Sequence, residues 1–118
     1  MKNDAMSVSD ETFEREVLSA PEPVVVLFTA SWCGPCRALA PVLGELAARF
    51  TGRIKVVAVD VEESPALAQA FRVTSMPTLL GFRGREVIGQ QVGYSGRRRV
   101  EALFEQVAAR PAAAATPG

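Results

Sequence analysis

The sequence predicts an α/β fold in which a mixed central β-sheet of four to five strands is flanked by four helices. Two observations lead to this prediction. Helical patterns first alternate with continuous β-branched stretches, which is typical of parallel strands joined by right-handed helical crossovers. Towards the end of the chain two short strands follow one another directly, which indicates an antiparallel hairpin added to the same sheet.

The first predicted helix and the first buried strand lie on either side of a Pro-Glu-Pro break. Residues 9–19 place three apolar side chains at helical spacing, with Ser9 or Asp10 available as the N-cap. Residues 23–30 are continuously apolar and β-branched, as expected of a strand buried on both faces. A strand before this helix is predicted to be short or absent, because only Met6 and Val8 alternate there.

The middle of the chain repeats the alternation. Residues 33–50 have a broad apolar stripe at helical spacing, and Pro41 inside that helix is expected to kink it. Residues 53–61 read as a second buried strand. The third helix is predicted to begin with Ser64 as its cap and Pro65 at its first helical position.

The last third predicts a hairpin followed by a helix. The strands are residues 77–82 and 86–92, and Gly84 at the first central turn position suits a type II′ turn. Residues 96–109 form the last predicted helix. Its inward stripe consists of Val100, Leu103, Phe104 and Val107.

Length and charge favour one domain without nucleic-acid or membrane partners. We assign residues 1–110 to this domain and residues 111–118 to a flexible Ala/Pro-rich tail. Thirteen basic and thirteen acidic residues give a net charge of zero, so the chain lacks the basic excess of nucleic-acid-binding proteins. The start has no apolar signal-type segment, and the longest apolar run, residues 24–28, is too short to span a bilayer. We therefore expect a cytoplasmic monomer, in which cysteines are reduced, catalytic or metal-bound.

The two cysteines stand at the junction of the first buried strand and the second helix, within "TASWCGPCRALAP". With Cys33 as N-cap, the N–H of Cys36 should point back at the Cys33 sulfur. That donor and the positive end of the helix dipole should lower the pKa of the Cys33 thiol. Cys36, one turn further in, should be the more buried of the two. The spacing also brings the Cα atoms within the roughly 4.4–6.8 Å that a disulfide needs.

Three kinds of chemistry are compatible with such a pair: a structural staple, a metal site and a redox switch. Closing a loop of about four residues would contribute only roughly 2 kcal/mol, which is too little to explain the motif. A structural zinc needs four Cys or His ligands, whereas the chain has two cysteines and no histidine. A metal shared between two chains stays open. Redox chemistry is favoured, and a Cys-His nucleophile is excluded.

The segments "FTASWCGPCRALAP", "SMPT" and "VGYS" resemble the thioredoxin family, and the resemblance runs from about residue 10 to residue 107. It implies the thioredoxin fold and a thiol-disulfide oxidoreductase acting as a protein-disulfide reductase. Cys33 would attack a disulfide in a protein substrate, and Cys36 would resolve the mixed disulfide. The resemblance implies no bound cofactor or metal, since an external reductase, such as a thioredoxin reductase, recharges the redox-active disulfide.

The resemblance also implies supporting residues around the cysteines. These are Trp32, Gly34, Pro35, Met76, Pro77 and Gly93. Pro77 is expected to follow a cis peptide bond, although it could be an ordinary strand-start proline. Trp32 could be a core residue or an exposed ring that contacts partners. Gly93 could allow close approach near the site or only form a turn.

The chain departs from the family pattern at three positions. Leu27 stands at the place of a buried acid, Thr29 at the place of an aromatic residue, and Ala58 at the place of a lysine. Proton transfer to and from Cys36 should therefore be slower than in a standard thioredoxin. The run 97–99 of three arginines at a helix N-terminus is interpreted as a solvated face or, alternatively, as a docking patch.

Two other functions remain open at this stage. The first is a binding module of the same fold, which docks a partner through the surface around Trp32, Met76 and Tyr94. The second is a disulfide isomerase or oxidase, which has the same fold but does not fit a cytoplasmic location.

Overall fold

The computed structural model describes residues 5–109, and its sheet contains five strands in the order β1-β3-β2-β4-β5. The strands are β1 (Met6–Ser7), β2 (Val24–Thr29), β3 (Lys55–Asp60), β4 (Thr78–Arg83) and β5 (Glu86–Val92). The helices are a first helical turn (Glu14–Leu18), α1 (Gly34–Arg49), α2 (Pro65–Ala70) and α3 (Arg97–Ala108). The predicted mixed sheet with four helices is confirmed. The predicted tail lies outside the described residues.

The central strand β2 explains how the sheet is assembled. It pairs in parallel with β3 and antiparallel with β4, so its backbone is hydrogen-bonded on both sides. Its side chains alternate between the two faces of the sheet. Val25 packs in a core cluster with α1 and α3, whereas Val26 and Phe28 pack in a second cluster with Val17 of the first helical turn. The prediction of a strand buried on both faces is confirmed.

The strand at the β1 edge is as short as the sequence predicted. It consists of two residues, paired in parallel with β3 so that Met6 lies opposite Val57 and Ser7 opposite Ala58. Because Met6 is 48% exposed, this edge contributes little to the core.

The predicted cap of the first helix was wrong, whereas the predicted start of the third, with Ser64 at the N-cap and Pro65 at the first helical position, is confirmed. No side chain caps the first helical turn, and Ser64 takes the N-cap position of α2 without a side-chain hydrogen bond. Instead the Asp10 carboxylate accepts the N–H of Leu67 in the first turn of α2, at 3.3 Å. The rings of Phe13 and Phe71 pack with centroids 5.4 Å apart, which brings residue 10 beside that helix.

The hairpin and the last helix agree with the sequence. Gly84, at the first central position of the turn, has a φ of 60°, which glycine adopts without steric cost. All four apolar residues of the predicted α3 stripe are buried. The helix lies so close to the sheet that a Cβ on Gly81 would overlap the side chain of Val107. Pro41 lies inside α1, and the kink there stays a prediction.

The arginine run does not act as one patch. Arg97 donates two hydrogen bonds of 2.8 Å to the Glu45 carboxylate on α1 and one of 2.9 Å to Glu101. Arg98 and Arg99 are exposed. Arg97 therefore links the start of α3 to α1. Because its guanidinium is already paired with two carboxylates, it does not form a docking patch together with Arg98 and Arg99.

The Arg97–Glu45 pair makes stability depend on pH in a defined direction. The hydrogen bonds from Arg97, with the attraction of its charge, hold the pKa of Glu45 below the ordinary 4.5. A carboxylate whose pKa is lower in the folded than in the unfolded state stabilises the fold at pH values above its unfolded-state pKa. That contribution is lost as the pH falls through the folded-state pKa. We expect Arg97→Met to destabilise the protein at neutral pH, and the difference from wild type to shrink below pH 4.5.

Urea unfolding at a series of pH values measures this difference. Arg98→Met is the matched control, because the side chain is exposed on the same turn, and it should leave the pH dependence of unfolding unchanged. A destabilisation by Arg97→Met that stays constant through the acid range would contradict the assignment.

Candidate active site

The cysteine pair is organised by the start of α1. Strand β2 ends at Thr29, and Cys33 occupies the N-cap position with extended backbone angles (φ −91°, ψ 109°). The backbone N–H of Cys36 donates to the Cys33 sulfur at 3.1 Å, as the sequence predicted. One of the N–H groups that a helix start leaves without an intrahelical partner is therefore directed at this sulfur. The same sulfur lies at the positive end of the helix dipole.

The two cysteines form a disulfide in this structure. Their Cα atoms are 5.3 Å apart, within the predicted range. Both cysteines are buried in this oxidised state, since Cys33 is 3% exposed and Cys36 is 5% exposed, and the expectation that Cys36 is the more buried thiol stays a prediction for the reduced state. The side chains of Val61 and Met76 pack against the pair.

Trp32 is an exposed residue, so its interpretation as a core residue was wrong. Its ring is 62% exposed, and its Nε1–H donates to the Glu62 carboxylate at 3.0 Å. Ser31 donates its hydroxyl to the same carboxylate at 3.2 Å. The backbone N–H of Glu62 in turn donates a hydrogen bond to the Asp60 carboxylate at 2.8 Å. Sequence reasoning missed Glu62, for which the only signal was an acid two residues after the end of β3.

The segment before β4 packs against the disulfide through Met76. The Met76–Pro77 peptide bond is cis, as predicted, and Met76 contacts the cysteine pair. The Pro77 carbonyl accepts the N–H of Gly93 at 2.7 Å. Gly93 has a φ of 83°, and a Cβ there would meet no atom within 4 Å, so the turn explains this glycine better than close packing. Gly34 and Pro35 are exposed beside the disulfide.

The three departures from the family pattern surround a cavity beside the disulfide. Leu27 is 7% exposed and lies opposite Ala58 in the register of β2 and β3. The cavity has a volume of about 370 Å³. It is lined by Ala5, Leu27, Thr29, Ala30, Ser31, Cys33, Cys36, Arg37, Ala40, Leu43, Gly44, Val56 and Ala58. Apart from the cysteines, Arg37 is the one ionisable residue among these, so no carboxylate adjoins Cys36 there.

The described residues offer neither a metal site nor a membrane-spanning helix. They contain no group of three or more His, Cys, Asp or Glu side chains that could hold a metal ion. None of the helices in this part of the chain combines the length and the hydropathy needed to cross a bilayer. The redox group of the site is the disulfide of the protein itself.

The family model described as Thioredoxin matches residues 4–109, which includes every element of the sheet. This match covers the cysteine pair, the cis proline and the cavity together.

Individual relatives agree with this match. The chain is 42% identical over 101 residues to "Thioredoxin C-2" of Corynebacterium nephridii, covering 86% of this chain and 94% of that protein. It is 46% identical over 89 residues to "Thioredoxin 1" of a Nostoc species, covering 75% and 83%. It is 40% identical over 92 residues to the "Bifunctional thioredoxin reductase/thioredoxin" of Mycobacterium leprae, covering 78% of this chain and 20% of that protein.

Proposed function

The chain belongs to the thioredoxin family, and from this premise we propose how its residues divide the work of disulfide exchange. It is a protein-disulfide reductase that needs no bound cofactor, since its redox group is the Cys33–Cys36 disulfide. One observation supports the division most strongly. The Cys36 N–H donates to the Cys33 sulfur at the start of α1, where a thiolate is stabilised.

The reduced pair transfers two electrons in two exchange steps. The Cys33 thiolate attacks one sulfur of the substrate disulfide, so that a Cys33–substrate bond forms and the other substrate sulfur leaves as a thiolate. The Cys36 thiol then loses its proton and attacks the Cys33 sulfur. The mixed disulfide breaks, the second substrate sulfur leaves, and the Cys33–Cys36 disulfide is restored. The substrate is reduced and the protein is oxidised.

We propose that a rim of residues around the disulfide contacts the substrate. Its first side consists of the exposed Trp32, Gly34 and Pro35, and its second side consists of the half-buried Met76 with the buried Pro77 behind it in the chain. The Gly93 turn is joined to this second side by its hydrogen bond to the Pro77 carbonyl. Such a rim suits an extended segment of a disulfide-containing protein, since an extended segment offers main-chain groups for hydrogen bonding.

A binding module that uses the same rim is the second candidate, and the exposed Trp32 ring favours it. The double variant Cys33→Ser/Cys36→Ser separates the two, because a docking function survives the loss of both thiols whereas a reductase does not. An isomerase or oxidase differs from a reductase in the redox potential of the pair.

We further propose that a thioredoxin reductase supplies the electrons to a monomer in the cytoplasm, with residues 1–110 as its domain. The Mycobacterium leprae relative supports this choice of donor, because its name joins a thioredoxin reductase and a thioredoxin in one chain. The absence of a long apolar helix in the described part of the chain is compatible with that compartment.

The electron donor is tested with a purified bacterial thioredoxin reductase and NADPH. We expect the reductase to convert the disulfide into two titratable thiols per chain, with one NADPH consumed, because the exposed rim around Cys33 gives access to the pair. The double variant Cys33→Ser/Cys36→Ser should consume none. Reduction by glutathione alone, with no reaction with the reductase, would contradict this choice of donor.

A further inference from the structure

The cavity beside the disulfide has a lining that differs from the proposed substrate rim. Its lining contains the two cysteines, but it does not contain Trp32, Met76 or Pro77. A molecule in the cavity would therefore contact the cysteine pair without contacting Trp32, Met76 or Pro77. At about 370 Å³ the cavity is large enough for a small ligand, since ligand sites span roughly 300–1,000 Å³.

The interior of the cavity is apolar because Leu27 and Ala58 stand where the family has an acid and a lysine, and it is open because Ala58 is much smaller than a lysine. It is lined by Leu27 and Ala58, which are neighbours on adjacent strands, by Leu43 of α1 and by Val56 of β3. Thr29 stands where the family has an aromatic residue. An apolar cavity of about 150 Å³ holds benzene, so this one accommodates an apolar group about twice that size.

The edge of the cavity carries one positively charged side chain, that of Arg37. The Arg37 guanidinium donates to the Ser31 carbonyl at 3.2 Å, and both residues line the cavity, so the charge is held at its edge. Arg37 makes no ion pair with any carboxylate among residues 5–109. A guanidinium has five N–H donors in a fork that fits a carboxylate.

We propose that this cavity binds a small monocarboxylate with an apolar tail, such as a medium-chain fatty acid. The tail fills the space between Leu27, Leu43 and Ala58, and the carboxylate pairs with Arg37 at the edge of the cavity. This orientation leaves the charge in water-accessible surroundings, where its desolvation cost is small. The reverse orientation would bury an unpaired carboxylate against leucine side chains.

Occupancy of the cavity bears on the reaction of Cys36. Neither Leu27 nor Ala58 can accept a proton, so the proton of the Cys36 thiol has to pass to water at the open side of the cavity. A bound tail excludes that water and should slow resolution of the mixed disulfide. This consequence rests on the proposed function, whereas the binding site does not.

Methyl NMR of the full-length oxidised protein tests the binding site directly, with octanoate as the probe and octylamine as the matched cation. We expect octanoate at about millimolar concentration to shift the methyl signals of Leu27, Leu43 and Val56. Arg37→Gln should weaken octanoate binding about tenfold, as expected for the loss of a charge-assisted hydrogen bond, and leave octylamine unaffected. Ala58→Leu and, independently, Thr29→Phe fill the cavity and should abolish the shifts.

Three results would overturn the proposal. The first is the absence of shifts at these methyls in folded wild-type protein. The second is equal binding of octanoate and octylamine, or no effect of Arg37→Gln. The third is binding only after removal of residues 1–4, which would make those residues the occupant of the cavity. Because none of these measurements requires disulfide exchange, failure of the binding site and failure of the reductase assignment are distinguishable.

Discussion

Replacing Cys36 by serine is expected to arrest the protein as a stable mixed disulfide with its substrate. Cys33 can still attack, since its sulfur keeps the N–H donor of residue 36, which belongs to the backbone. No second thiol is then available to release the substrate, because the chain has only two cysteines. Turnover should fall roughly a thousandfold or more.

The matched variant is Cys33→Ser, which removes the attacking thiolate. It should lose turnover to the same extent but form no mixed disulfide. Non-reducing electrophoresis with a disulfide-containing protein substrate, followed by mass spectrometry, distinguishes the two variants. A trapped complex formed by Cys33→Ser and not by Cys36→Ser would reverse the roles that we assign to the cysteines.

The variant Leu27→Asp is expected to speed resolution while destabilising the fold. Leu27 is 7% exposed on the central strand and lines the cavity together with Cys36. A carboxylate there gives the Cys36 thiol a general base, which typically accelerates a proton transfer by at least about a hundredfold. An unpaired carboxylate at this buried position should also cost about 3–5 kcal/mol of unfolding free energy.

Two further variants make this prediction specific. Leu27→Asn has nearly the same shape and should destabilise the protein without speeding resolution. Adding Ala58→Lys to Leu27→Asp should recover part of the stability, since residues 27 and 58 are direct neighbours on adjacent strands. The measurements are single-turnover kinetics as a function of pH and urea unfolding. An equal rate for the Asp and Asn variants would show that a missing base does not limit resolution.

The order of elements and the cysteine geometry could be predicted from the sequence because both depend on local patterns. A continuous β-branched run defined β2, and the spacing of Cys33 and Cys36 at a helix start defined the N–H to sulfur hydrogen bond. The four buried residues of α3 followed from helical periodicity alone. The departures at Leu27 and Ala58 were likewise visible, because the resemblance aligned them with family positions.

What the sequence did not predict depends on contacts between distant segments. The cap that Asp10 provides to α2 joins residues 57 positions apart, and the bond from Trp32 to Glu62 joins residues 30 apart. The similar burial of the two cysteines depends on Val61 and Met76, which come from other loops. The cavity arises from small side chains on three elements at once, and no local pattern indicates such an arrangement.

The reduction potential of the Cys33–Cys36 pair, measured by equilibration against glutathione buffers, tests the reductase assignment most directly. We expect a value near or below the cytosolic glutathione poise of about −220 to −260 mV, at which the reduced pair donates electrons to other disulfides. A clearly more oxidising value, nearer the roughly −120 to −180 mV of disulfide donors and isomerases, would contradict the assignment. Leu27 beside Cys36 would then be the first residue to replace.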